Sequence, residues 1–172
     1  MTSQNMILGF IAIALLVILT FVWPPDSPWS PWWRTSKKVA RAAGRLAGIT
    51  NRDIVYELGS GDGEFILIAS REFHAKKSIG IEIDLTRYLI SIIKKQSSKN
   101  NNAEFVRGDF KKVSLSEATV VYLYLVPAVI KKLMPKLKKE LKKGTRIVSV
   151  KYEVPLIPVK KDVKNRLYLY KV

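Results

Sequence analysis

One run of eight residues holds most of the chemistry this chain can offer. Glu57-Leu58-Gly59-Ser60-Gly61-Asp62-Gly63-Glu64 sits where an apolar run, DIVYEL, meets closely spaced glycines. Glycine lets the backbone bend sharply and approach a ligand. The acids limit which ligand. A dinucleotide fingerprint, G-x-G-x-x-G/A, needs a small residue where this chain has Glu64, and a phosphate loop needs G-K-[ST], which is absent. A pyrophosphate would also be repelled by Glu57, Asp62 and Glu64. The loop therefore suits a cationic or neutral cofactor. Two more acids, Glu82 in GIEID and Asp109 in RGDF, also end apolar runs. The absence of cysteine excludes disulfides, thiolate metal sites and a thiol nucleophile, and a single histidine, His74, cannot build a multi-histidine metal site. No metal is expected, and His74 reads as a surface residue.

These residues need a scaffold, and the chain spells one out. Ser36 is placed to cap a helix over 37–48. The run 53–58 reads as a buried strand and 63–73 as the helix after the glycine loop. Residues 78–84 are a second strand, followed by an amphipathic helix over 86–98 capped by Asp84 or Thr86. Strands over 103–110 and 119–126 come next. A helix begins near 128, with Val129, Leu133, Leu137 and Leu141 at spacing four and Pro135 expected to break or kink it. A fifth strand spans 145–152. The alternating run 165–172 reads as a last strand, antiparallel at a sheet edge or beside one. Strands alternating with helices predict an α/β fold, a mostly parallel sheet with helices on both faces. Ligands of such sheets bind at the carboxyl ends of the strands, near the point where strand order reverses.

The N-terminus is different in kind. Residues 1–25 carry no charged side chain, and 6–23, MILGFIAIALLVILTFVW, are apolar on every face. That length matches a bilayer core of about 30 Å. A signal peptide fits poorly, because there is no basic n-region and PPDSPWSPWW is not a small-residue cleavage site. The expected organisation is a transmembrane anchor over 1–23, a Pro/Trp-rich juxtamembrane linker over 24–34 and a catalytic domain over 35–172. Trp23, Trp29, Trp32 and Trp33 suit the headgroup layer. Arg34, Lys37, Lys38, Arg41 and Arg45 follow, which places the domain on the cytoplasmic side, or its equivalent inner compartment, as a single-pass protein. The net charge of +16 calls for anionic partners. Lipid headgroups account for much of it, at about 1 kcal/mol per well-placed cation, so nucleic acid is not required. The lysine-rich helix 131–143 reads as a solvated face over an apolar seam.

S-adenosylmethionine fits the acidic loop: it carries a sulfonium and an α-ammonium and no phosphate. E-x-G-x-G-x-G over Glu57–Gly63, at the end of a first strand, resembles motif I of class I methyltransferases, whose fold is Rossmann-like. The resemblance implies that Glu57, Gly59, Ser60, Gly61, Asp62 and Gly63 cradle the cofactor. It further implies that Glu82 accepts from both ribose hydroxyls, Asp109 accepts from the adenine amino group, and Phe110 packs on that ring. A narrower likeness lies in DIVYELGSGDGEF, VVYLYL, MPKLKKELKKGTRIVS and KYEVP. Over about 35–158 the chain is similar to a small group of protein-lysine methyltransferases. The group includes archaeal broad-specificity enzymes and the mitochondrial enzyme that methylates a lysine of the ATP synthase c-ring protein. Thr35-Ser36 stands where that group often has Thr-Pro, near the cofactor and substrate entrance. Ala118-Thr119 stands where many members have an Asp.

The activity so implied is direct transfer of a methyl group to a lysine amine of a protein substrate, for which an anchor suggests a membrane-associated target. Tyr124, at the end of the fourth strand, is the residue expected to orient the amine. Tyr122 has the same parity one step back, and Glu153, after the fifth strand, is a candidate acid at the substrate mouth. The [DN]-P-P-[YF] motif of nucleic-acid amino-methyltransferases is replaced by YLYLVP, which argues against base methylation. A lipid or small-molecule methyltransferase at the membrane surface and a non-catalytic cofactor-binding assembly factor stay open as alternatives.

Overall fold

The structure is a computed structural model that describes residues 3–22, 33–98 and 102–172. Its first helix, α1 (Ser3–Val22), has all of its described side chains, residues 4–18, exposed. Among the described residues no helix is long and apolar enough to cross a membrane, so the expected transmembrane helix is not borne out by the structure. Trp23, Trp29, Trp32 and the linker as far as residue 32 lie outside the described residues.

The rest is one α/β sandwich. Ser36 accepts the Val39 N–H at 3.3 Å and opens α2 (Lys37–Ala47). The helix closes in a Schellman motif, with Gly48 N–H on the Arg45 carbonyl and Ile49 N–H on that of Gly44. Then come β1 (Ile54–Leu58), α3 (Glu64–Arg71), β2 (Lys77–Glu82), α4 (Leu85–Ser97), β3 (Ala103–Arg107), β4 (Val120–Leu123), α5 (Pro127–Glu140), β5 (Arg146–Val150), β6 (Lys160–Asp162) and β7 (Leu167–Lys171). The strand order is β3-β2-β1-β4-β5-β7-β6. The first five are parallel, and β7 runs antiparallel between β5 and β6. Strand order therefore reverses between β1 and β4, and their carboxyl ends frame the crevice where a ligand is expected.

Period-two alternation divides the core. Val55, Val120, Tyr122 and Val148 face the helix layer of α2 and α3, with Tyr88 and Ile92 of α4 packed against the same cluster. Tyr56, Leu58, Val121, Leu123 and Ile147 face α5 through Ile130, Leu133, Met134 and Leu137. Helices thus cover both faces, as expected.

Three details differ from expectation. α5 runs unbroken through Pro135. Pro135 is exposed, so the carbonyl that loses its helical donor faces water, while Leu133, Met134 and Leu137 hold the helix on its buried side. The short strand β6, Lys-Lys-Asp, was not expected, because three polar residues carry no alternation. The strands before the crevice also stop early: Ile83, Phe110, Tyr124 and Leu125 leave the ladder and line a cleft instead.

Candidate active site

The glycine loop leaves β1 and reaches α3 with Gly59, Gly61 and Gly63 at φ of 78°, 54° and 77°. These are left-handed values that side chains resist. Its amides are already engaged. Gly59 and Ser60 both donate to the Ile81 carbonyl, at 2.9 and 3.0 Å, and Gly63 donates to the Ser60 carbonyl at 2.9 Å. Gly61 donates to Glu82 Oε2 at 2.7 Å. A phosphate cradle needs those N–H groups turned toward the anion. Here those of Gly59, Ser60 and Gly61 are spent on β2 and that of Gly63 on the loop itself, so the loop presents carboxylates and not these amides. Gly80, the first residue of the GIEID run, makes room for this: a Cβ there would stand 2.7 Å from Ser60 Oγ. A glycine inside a strand was the available signal.

Four acids surround the loop, all buried: Glu57, Asp62, Glu64 and Glu82. Burial, then the charges of Asp62 and Glu82, pushes the Glu57 carboxyl well up, although the Ile66 N–H partly offsets this. Its Oε2 and the Ser60 hydroxyl have no hydrogen-bond partner. Buried acceptors of this kind normally have one. Glu82 is fixed from both sides, with Oε1 accepting from Asp84 N–H at 3.0 Å. Asp62 takes Arg34 Nε at 2.7 Å and Lys94 Nζ at 3.2 Å, and Lys94 also reaches Glu64 at 2.8 Å. Arg34 and Lys94 were not foreseen as partners of this loop, because nothing in sequence spacing pairs residues about thirty positions apart.

The expected residues do not all converge. Thr35, Glu57, Gly59, Ser60, Gly61, Asp62, Glu82, Phe110 and Tyr124 line one cleft, joined by Trp33, Arg34, Glu64, Ile83, Arg87 and Leu125. Gly63 stands behind it as the residue before α3, its Cα facing the Phe105 ring. Asp109 is outside the lining and accepts the Lys111 N–H at 2.9 Å, so it builds the turn that presents Phe110. Tyr122 is fully buried, its ring stacked on Phe65 at 3.9 Å and its hydroxyl 3.2 Å from Thr35 Oγ1. It anchors Thr35 from within the core rather than facing a substrate, and burial, together with the Glu57 charge, pushes its hydroxyl well up. Glu153 is exposed and paired with Lys161 at 3.1 Å, away from the cleft. Thr119, where related enzymes are expected to carry an acid, lies at the amino end of β4, opposite the cleft, and donates to Asp53 at 2.7 Å. His74 is exposed. Among the described residues no cluster of acids or histidine is arranged for a metal ion.

What remains is an acidic, phosphate-averse cradle with unpartnered acceptors. It fits a cofactor whose charge is positive. Comparisons agree. A family model, the ANTKMT methyltransferase domain, matches residues 57–161. A protein-lysine N-methyltransferase from Saccharolobus islandicus is 41% identical over 128 residues, 74% of this chain and 80% of that protein. An adenine nucleotide translocase lysine N-methyltransferase from Mus musculus is 30% identical over 122 residues, 67% of this chain and 52% of its own length, so the chain spans about half of that enzyme. The crystal structure of an RNA methyltransferase from Salinibacter ruber with S-adenosyl-L-homocysteine matches with a TM-score of 0.77 at 34% identity, over 81% of this chain and 93% of that one. The cradle, the strand order and these matches agree that the chain belongs to the ANTKMT methyltransferase-domain family and is an S-adenosylmethionine-dependent methyltransferase.

Proposed function

We propose that the protein N-methylates lysine side chains of a protein substrate, with Tyr124 at the junction where the amine meets the cofactor. The observation that carries this is the wall of the cleft: Thr35, Tyr124 and Leu125 close the acidic cradle on the side of β4. S-adenosylmethionine, when bound, supplies an electrophilic methyl group on a positively charged sulfur. Glu57, Asp62 and Glu82 would hold it, their negative charge balancing its cations, with Phe110 beside it. Tyr122, locked in the core, positions Thr35 on the wall. A lysine amine attacks only when neutral, and in water its pKa is about 10.4. Burial against Tyr124 and Leu125 disfavours the ammonium form. Positioning then supplies much of the rate, with no dedicated base required.

The anchor belongs to the same proposal. Residues 1–25 are uncharged, α1 displays apolar side chains from Met6 to Ile18, and the cations from Arg34 to Arg45 follow. These support a membrane-held enzyme with its catalytic domain in the cytoplasm or an equivalent inner compartment, acting on a membrane-associated protein.

RNA is the second reading, favoured by the Salinibacter enzyme and the net charge of +16. Against it, Tyr124-Leu125-Val126-Pro127 lacks the Asn or Asp that would hold an exocyclic base amine. The deciding experiment incubates the purified chain with methyl-labelled S-adenosylmethionine, native membranes and total RNA, then counts protein, lipid and RNA fractions. Label in a discrete protein band, lost on Lys→Arg at the mapped position, is the expected result. Label in RNA or lipid would overturn the lysine assignment.

A further inference from the structure

A second hollow, of about 270 Å³, lies on the far side of the wall from the cradle. It shares Arg34, Thr35 and Tyr124 with the cofactor cleft and is otherwise walled in part by Val150, Lys151 and Arg166. Two of these have unusual backbones. Lys151, just after β5, has φ 66°, and Arg166, just before β7, has φ 54°. They touch, the Lys151 N–H donating to the Arg166 carbonyl at 2.8 Å. Left-handed positions are unfavourable for a side-chain-bearing residue, and glycine would avoid that cost. The chain instead places two long cations there. Strain of this kind, held by adjoining strands, is a pointer to function.

Among the described residues their charges are not neutralised. The Lys151 ammonium rests over the Trp33 ring at 3.6 Å, and neither Lys151 nor Arg166 has a carboxylate at ion-pair distance among the described residues. The neighbouring acids are occupied elsewhere, Glu153 by Lys161 and Asp162 by Asn165. A bare lysine ammonium entering this hollow would be repelled. A segment that also carries carboxylates would be drawn in, while the same cations disfavour the charged amine and favour its nucleophilic form.

We propose that this hollow receives the target lysine on an acidic segment: Lys151 and Arg166 pair with flanking carboxylates while the lysine side chain passes along Thr35 and Tyr124 to the cofactor cleft. The proposal rests on the lysine-methyltransferase reading and adds the sequence class of the substrate. A single-stranded nucleic acid is less well served, because it needs a track of cations interleaved with aromatic platforms, and here Lys151 and Arg166, with Arg34 held on Asp62, line a single hollow.

The test offers the full chain an equimolar mixture of three peptides, each with one central lysine. The flanks are Asp/Glu in one, Asn/Gln in the second and Arg in the third. Transfer from methyl-labelled S-adenosylmethionine is read on each. The acidic peptide is expected to be labelled about tenfold faster than the basic one, with the ratio falling as salt is raised. Arg166→Glu should bring the ratio to near one or invert it, Arg166→Lys should restore it, and cofactor affinity should be unchanged in both. Equal labelling of all three peptides by the wild-type chain would overturn this site and leave the lysine reading standing. Label in added RNA with none in any peptide would overturn both. Cofactor binding with no label in any peptide would overturn the proposal as well.

Discussion

Glu57 is buried for the sake of a ligand rather than for the fold. Its carboxyl is pushed up by burial and by Asp62 and Glu82, and Oε2 lacks a partner. Because the folded-state value lies above the unfolded one of about 4.3, its contribution favours the fold below that pH. The contribution is lost as pH climbs through the folded-state value. Glu57→Gln stays neutral throughout. It should melt higher than wild type above about pH 5 while binding S-adenosylmethionine about tenfold more weakly or worse, roughly 1.4 kcal/mol. Melting curves at several pH values and a cofactor titration check both. Tyr124 lines the cleft without carrying the cradle, so Tyr124→Ala should lower kcat/KM by about a hundredfold and leave cofactor affinity within a few-fold. At this scale spacing revealed Glu57, Glu82 and Tyr124, since each stands at or beside the end of an apolar run, and Asp62 through its place between two glycines. It did not reveal that Tyr122 is in the core, because parity assigns a face of the sheet but not a depth along the strand. Nor did it separate Asp109 from Phe110, as one residue past a strand the turn decides which side chain reaches the cleft.

Three strands and one helix are pinned together at the end of the sheet opposite the site. Asp53 takes the Thr119 hydroxyl, the Thr50 N–H and hydroxyl, and Arg146, whose guanidinium also donates to the Ala47 and Gly48 carbonyls. This ties the starts of β1, β4 and β5 to the end of α2. Burial alone would raise the Asp53 carboxyl, but Thr119, Thr50 and Arg146 together hold it below the ordinary range. That stability is present above the unfolded-state value of about 3.9 and is lost as pH falls through the folded one. Asp53→Asn should cost about 2 kcal/mol by denaturant unfolding at pH 7, with cofactor affinity unchanged. Gly63→Ala is the matching test beside the site. A Cβ there would stand 2.4 Å from the Phe105 ring at a φ of 77°, so a loss of about 2–4 kcal/mol is expected. The helices and central strands were legible because periodicity is strong where one face is buried. β6 was not, since its Lys-Lys-Asp pairs with β7 only once the hairpin brings it there.

At the scale of the whole molecule, charge and apolarity separate along the chain: an uncharged N-terminal stretch precedes a basic domain. If residues 6–23 anchor the enzyme, the full chain should stay with membranes through alkaline carbonate. Release by high salt alone would mean attachment through the cations only. Local order determined much about this protein on its own. The alternation of strand and helix implied a parallel sheet, and the acidic glycine loop argued against phosphate and called for a cationic or neutral cofactor. Both follow from interactions between residues close in sequence. Tertiary structure decided what depends on residues far apart. It spent the loop amides on Ile81 and Glu82, set Arg34 and Lys94 on Asp62, drew Tyr122 inward to Thr35, and placed Lys151 beside Arg166. Those pairings arise only when the crossovers bring strand ends together, and no spacing along the chain encodes them.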